Sequence, residues 1–122
     1  MDESKTYIKM CEKAEEIQKH YHSQRGSFYA WFPEKGGVTI CSSSLSIHPT
    51  VWLPRQDQLQ EIWLEHKPMA CPAGGFHFLM QDWIMPNLDY ANKFTSMEQL
   101  WLAAVMDWKF DKHWDGERWI KE

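Results

Sequence analysis

Six histidines, three cysteines and two rows of carboxylates are the side chains of this 122-residue chain with the types needed for metal, nucleophilic or acid-base work. A structural zinc site needs three or four converging ligands, usually with close-spaced pairs that set their register. His66, Cys71 and His77 come nearest, but they fall on a helix end, in a proline-rich loop and on the next predicted helix. His20, His22, His66 and His113 all lie in or just beyond the last turn of a predicted helix, where the helix dipole favours positive charge. We therefore assign no metal ligand and no cofactor. Cys71 precedes Pro72-Ala73-Gly74-Gly75 at a predicted helix start, a setting that lowers a thiol pKa. No histidine is tied to it by spacing, and a small buried cysteine is the plainer reading. Ser42-Ser43-Ser44 lacks the G-x-S-x-G turn of a hydrolase nucleophile. Gly36-Gly37 and Gly74-Gly75 are too short for a phosphate loop. Asp57, Glu61 and Glu65 stand at i, i+4 and i+8, and Asp107 and Asp111 form a second row. Inward carboxylates of two-metal bundles come with Glu-x-x-His motifs, and this chain has none. These rows read as solvated surface, and no residue is assigned a catalytic role.

Recognition has the stronger candidates. Eight tryptophans exceed what one small core buries completely, because indole is large and its N–H needs a partner. Trp63, Trp83, Trp101 and Trp108 match inner helical stripes. Trp31, Trp52, Trp114 and Trp119 fall in strand, loop or tail contexts, and Arg55 and Arg118 sit beside two of them. Tryptophan and arginine dominate interface hot spots. The expected partner-binding residues are therefore Trp52, Arg55, Gln56, Trp114 and Arg118, in a protein-interaction module that recognises without catalysing. The alternative is a small-molecule or carbohydrate-binding protein with a tryptophan-lined cleft. A homodimer is one way to cover leftover aromatic surface.

The elements that must hold these residues centre on Thr95 to Phe110. Met97, Leu100, Trp101, Ala104, Val105 and Trp108 recur at the three-and-four spacing of a helical face, and Leu102, Met106 and Phe110 make a second one. A helix apolar over so much of its circumference is normally buried. Thr95 and Glu98 have the form of its capping box. Residues 4–22 predict an amphipathic helix, Ser27 to Cys41 a hairpin around Pro33-Glu34-Lys35-Gly36-Gly37, and Ser42 to Thr50 the longest loop. Pro54 is expected at the first position of the next helix, and Pro68 and Pro72 end it. Phe76 to Ile84 reads as helix, although Phe78 leaves a strand open, and Leu88 to Phe94 connects to the central helix. Asp115-Gly116 either ends that helix or turns a small hairpin. The expectation is one α+β domain over 1–122, with about four helices around the C-terminal one and one β-hairpin. A two-stranded hairpin is marginal alone, so it must lie on the helices or gain a third short strand, for which Ser46 to Val51 or the C-terminal tail are the candidates.

A hydrophobic content of 43% and a charged content of 25% fit a folded globular chain. The net charge of −4 argues against a broad phosphate-binding surface, which makes nucleic acid a poor primary ligand. No apolar run reaches the roughly 18 residues of a membrane span. Met-Asp-Glu-Ser-Lys lacks the layout of a signal peptide, and three cysteines without a C-x-x-C pair suit a reducing compartment, so a cytoplasmic location is expected.

Trp52-Leu53-Pro54-Arg55-Gln56-Asp57-Gln58-Leu59-Gln60-Glu61 and Phe94-Thr95-Ser96-Met97-Glu98-Gln99-Leu100-Trp101-Leu102 resemble stretches of short uncharacterised proteins of bacterial phages and prophages. Glu16-Ile17-Gln18 and Trp114-Asp115-Gly116 are similar too. The resemblance implies a context, a small accessory protein of a mobile element, and brings no activity, cofactor or catalytic residue with it.

Overall fold

The N-terminal apolar stripe folds as two pieces where one helix over 4–22 was expected. In the computed structural model, which describes residues 2–19, 27–31, 37–40, 51–66, 74 and 77–121, helix α1 (Lys5–Lys13) begins at Ser4, whose hydroxyl accepts the Tyr7 N–H at 3.2 Å. It stops at Ala14 (φ −88°, ψ 74°), and the short α2 (Glu15–Gln18) follows. Residues 20–22 lie outside the described ones. The break has a structural use, because it presents the Gln18 amide to the backbone of Trp52. Gln18 Nε2 donates to the carbonyls of Cys11 (3.0 Å) and Trp52 (2.9 Å), while its Oε1 accepts the Trp52 N–H at 2.8 Å.

Strands β1 (Phe28–Trp31) and β2 (Gly37–Ile40) form the expected hairpin, antiparallel, with Phe28 opposite Ile40 and Trp31 opposite Gly37. The turn through Gly36 and the loop Ser42 to Thr50 lie outside the described residues. The third strand, β3 (Val51–Leu53), starts where the expected segment ended and pairs with the other edge of β1, giving the order β2-β1-β3. All three β3 side chains are buried. Gln18 therefore caps the outer edge of β3 as a further strand would, satisfying backbone groups that burial would otherwise leave unpaired.

Helix α3 (Gln56–His66) starts two residues later than Pro54 suggested. Arg55 is its N-cap: its carbonyl accepts the Leu59 N–H at 3.0 Å, and the Gln58 side chain reaches back to the Arg55 N–H at 2.9 Å. That is the reciprocal half of a capping box, and it places Pro54 just outside the helix. The expected helix over Phe76 to Ile84 is a π-helix, α4 (Phe78–Ile84), closed by an i→i+5 bond from Met85 N–H to Met80 O at 3.1 Å. Its wider turn lets Phe78, Leu79 and Trp83 share the buried face. This removes the ambiguity that Phe78 raised. One turn, α5 (Leu88–Ala91), leads into the central helix α6 (Met97–Phe110).

Ser96, not Thr95, caps α6, because its hydroxyl accepts the Gln99 N–H at 3.1 Å. Gln99 in turn accepts the Thr95 N–H at 3.1 Å, so the box is shifted by one residue and uses glutamine instead of Glu98. The helix ends at Asp111, in the left-handed region (φ 55°) that aspartate tolerates better than most residues. The tail then turns a hairpin of β4 (Lys112–Trp114) and β5 (Trp119–Lys121). Asp115 Oδ1 accepts the N–H groups of Glu117 and Arg118, both at 2.8 Å, and Gly116 supplies a φ of 104°. The fold is α+β. Helices α1, α3 and α4 and strand β4 all pack against α6, and α1 also packs against β3.

The Gln18 clip makes a prediction. Gln18→Ala leaves the Trp52 N–H and carbonyl without these partners in a buried strand and should destabilise the fold by roughly 2–4 kcal/mol. Urea unfolding should show a lower midpoint at unchanged m. A loss under about 0.5 kcal/mol would mean that the edge of β3 does not depend on the clip.

Candidate functional site

The five expected contact residues separate into the core and two surface settings. Trp52 is 5% exposed and Trp114 8%, so neither offers an aromatic anchor to a partner. This corrects their reading as exposed anchors, and the reason is tertiary. Trp52 lies on β3 between β1 and the Gln18 clip, while the Trp114 ring packs on Trp119 at 5.1 Å between centroids. Trp119 is buried as well, its indole N–H donating to the Met10 carbonyl at 2.9 Å. Arg118 is exposed in the β4–β5 turn. Arg55 and Gln56 stay together at the start of α3.

Arg55 and Gln56 line an open groove of about 360 Å³ together with Phe28, Asp57 and Glu98. The side chain of Arg55 is held as a fork on Asp57, with Nε to Oδ1 at 3.0 Å and an η-nitrogen to Oδ2 at 3.2 Å. The hydrogen bond to Asp57 raises the guanidinium pKa, and that same bond holds the Asp57 carboxyl below the ordinary carboxylate value. Two planar groups are thereby fixed on the rim before any ligand arrives. Glu98 enters from the first turn of α6, and its Oε1 accepts the Asp2 N–H at 2.8 Å. Asp2 Oδ2 in turn accepts from Ser96 Oγ (2.6 Å) and Gln99 Nε2 (2.7 Å). Burial alone would raise the Asp2 carboxyl, but hydrogen bonds from Ser4, Ser96 and Gln99 outweigh it and bring the pKa below 3.8. This network locks the groove wall that α6 contributes.

No family model, no curated protein and no solved structure matches the chain. What the groove can do follows from its donors and acceptors. Its charged lining holds two carboxylates against one guanidinium that already faces a carboxylate, which disfavours phosphate. The Phe28 ring and the Gln56 amide add an apolar wall and a directional donor and acceptor. Phe28, Asp57 and Glu98 were missed by the sequence reading. Asp57 had a usable signal, two residues from Arg55, whereas Phe28 and Glu98 reach the groove only through the packing of β1 and α6.

A second, smaller concavity of about 230 Å³ is lined by Thr6, Lys93, Phe94, Trp114, Asp115 and Gly116. It falls below the usual volume of a small-molecule site, roughly 300–1,000 Å³, and the burial of Trp114 withholds most of the indole face a sugar would stack on.

The remaining chemical candidates are accounted for individually. Burial pushes the Cys11 thiol far up, well away from a reactive thiolate. His113 Nε2 lies 3.0 Å from Asp107 Oδ1, and Asp107 Oδ2 accepts the Trp83 indole N–H at 2.8 Å, so Asp107 serves as a tie between α4, α6 and β4. His77 is exposed, while Cys71 and the side chain of His66 lie outside the described residues. Among the described residues no group of three or more His, Cys, Asp and Glu is placed to hold a metal ion, and no helix is long and apolar enough to cross a membrane.

Two outcomes are expected. Trp52→Ala and Trp114→Ala should each cost about 3–5 kcal/mol of stability in urea unfolding, as truncations of buried aromatics do; a cost below about 1 kcal/mol would return them to the surface. Because the Asp2 pKa is lowered on folding, its contribution is complete above the unfolded value of 3.8 and is lost as pH falls through the folded value. Asp2→Asn should therefore be less stable than wild type at neutral pH by about 1 kcal/mol. The gap should narrow below pH 3.8, and a gap independent of pH would sink this assignment.

Proposed function

We propose that this protein is a non-catalytic accessory protein of a bacterial phage or prophage, acting in the cytoplasm as a protein-interaction module. The observation that supports this reading is the preorganised rim of the groove. Arg55 is fixed by Asp57, Glu98 by Asp2, and the half-exposed Gln56 amide stands beside them with Phe28. Fixed polar groups around an apolar wall lose little conformational entropy on binding, which is how small interfaces gain affinity. The contact set is revised accordingly: Arg55 and Gln56 remain, Phe28 and Glu98 join them, Trp52 and Trp114 become core residues, and Arg118, in the β4–β5 turn, is not among the residues that line the groove. The surplus of carboxylates over free guanidinium favours a protein segment over nucleic acid. The alternative, a small-molecule or carbohydrate-binding protein, would have to use the smaller concavity at Trp114, whose indole is largely covered.

A photoreactive amino acid at position 56, with a second variant at the exposed Gln81 of α4 as control, tests the reading in a bacterial host. A defined protein adduct is expected at position 56 and none at position 81. Gln56→Ala should then weaken that complex roughly ten-fold. No adduct at position 56, or the same adducts at both positions, would overturn the groove as the interface.

A further inference from the structure

The C-terminal hairpin has one edge whose hydrogen-bonding groups can be assigned. Antiparallel ladders alternate between pairs that exchange both N–H···O bonds and pairs whose N–H and C=O groups point away from each other. The Trp114 N–H donates to the Tyr90 hydroxyl oxygen at 2.6 Å, outside the hairpin, so Trp114 and Trp119 form a pair of the second kind. His113 and Ile120 are then the doubly bonded pair, and Lys112 and Lys121 again point outward. The bond from Asp115 N–H to Arg118 O at 3.0 Å fits the same alternation. On the β4 side Tyr90 takes up the outward Trp114 N–H. On the β5 side the N–H and C=O groups of Trp119 and Lys121 face away from β4, and among the described residues none is bonded across that edge. Ile120, 43% exposed, lies on the outer face between them.

We propose that β5 pairs antiparallel with β5 of a second copy, joining the two hairpins into a four-stranded sheet around a two-fold axis. A two-fold interface must be self-complementary, and one register makes this edge so. With Trp119 opposite Trp119 of the second copy, the outward backbone groups meet. Glu117 then stands beside Lys121 of the second copy, twice by symmetry, and the Arg118 stem crosses Ile120 of the second copy. Glu117 is 76% exposed even while it contacts Lys9 of its own chain, so its carboxylate has room for a second cation. A three-residue edge covers far less than the roughly 1,200–2,000 Å² of a stable complex. The dimer is therefore weak and concentration-dependent. This interface is independent of the Arg55–Gln56 groove.

Sedimentation equilibrium from low micromolar to millimolar concentration, with charge-reversed variants, tests it. Wild type should pass from monomer to dimer. Glu117→Lys and Lys121→Glu should each weaken self-association roughly five- to ten-fold by placing like charges together. An equimolar mixture of the two variants should regain it, because each then offers the charge the other lacks. Amide exchange at Trp119 and Lys121 should slow as concentration rises, while Ile120, already in the ladder, should not change. A wild type that stays monomeric throughout, single variants that dimerise like wild type, or a dimer with unchanged exchange at Trp119 and Lys121 would each overturn the proposal. Both substitutions lie on exposed side chains, and unchanged near-ultraviolet circular dichroism shows that the variants are folded.

Discussion

Six consecutive residues, Trp101 to Met106, are buried on α6, and a helix with no wet side must be covered from every direction. The rest of the architecture meets that requirement. Helix α3 brings Leu59, Ile62 and Trp63, α4 brings Phe78, Leu79 and Trp83, α1 brings Tyr7 and Met10, and the C-terminal hairpin brings Trp114 and Trp119. A chain of this size has few elements to spare, so even the tail is drawn into the core. That is why the two tail tryptophans, which lie beyond the last helix in sequence, are core residues in space.

Covering α6 with large aromatics creates a second constraint, because each buried indole brings an N–H out of water. Trp83 donates to Asp107 and Trp119 to the Met10 carbonyl. Trp101, at the centre beside Trp63, has no acceptor among the described residues. Leaving one buried donor unpaired costs on the order of 1–3 kcal/mol, an expense that the apolar area of a fully buried tryptophan offsets. Buried polar groups elsewhere are tied with more care. The Tyr7 hydroxyl donates to the Pro54 carbonyl at 2.6 Å, and Gln58 bridges the Arg55 N–H and the Ser27 hydroxyl. These ties fix where α3 begins relative to α1 and β1, and that junction forms the walls of the Arg55–Gln56 groove.

How far the sequence discloses this structure depends on the range of the interaction that decides each feature. The apolar stripes of α6 and α3 and the β1–β2 hairpin rest on local periodicity and turn chemistry, and they were legible. The α6 cap was legible in type but displaced: Ser96-x-x-Gln99 competes with Thr95-x-x-Glu98, and the Asp2 carboxylate, 94 residues away from Ser96, is bonded to the observed pair. The break at Ala14 has no local signal, since what it achieves, the delivery of Gln18 to Trp52, is a contact across 34 residues. The same holds for Trp52 and Trp114, whose loop and tail contexts suggested exposure. Of the candidate site, the Arg55–Gln56 pair could be read from sequence, while Phe28 and Glu98 could not.

Charge shows most clearly why function is harder to read here than fold. Several of the strong charges in the described residues are engaged within the chain, Arg55 with Asp57, Lys112 with Glu16, Lys9 with Glu117 and Asp2 with the α6 cap. Such pairs tie together segments whose apolar contacts are limited by chain length, and they hold side chains that a ligand would otherwise recruit. A sequence reading counts those charges as available, whereas the folded chain has already committed them. On the proposed reading, recognition would rest on what the commitments leave in place: a guanidinium–carboxylate fork, a glutamine amide and a phenyl face whose positions are set by contacts made elsewhere. A surface built in this way has no linear motif, because its defining property is the fixed arrangement of ordinary residues drawn from three separate elements.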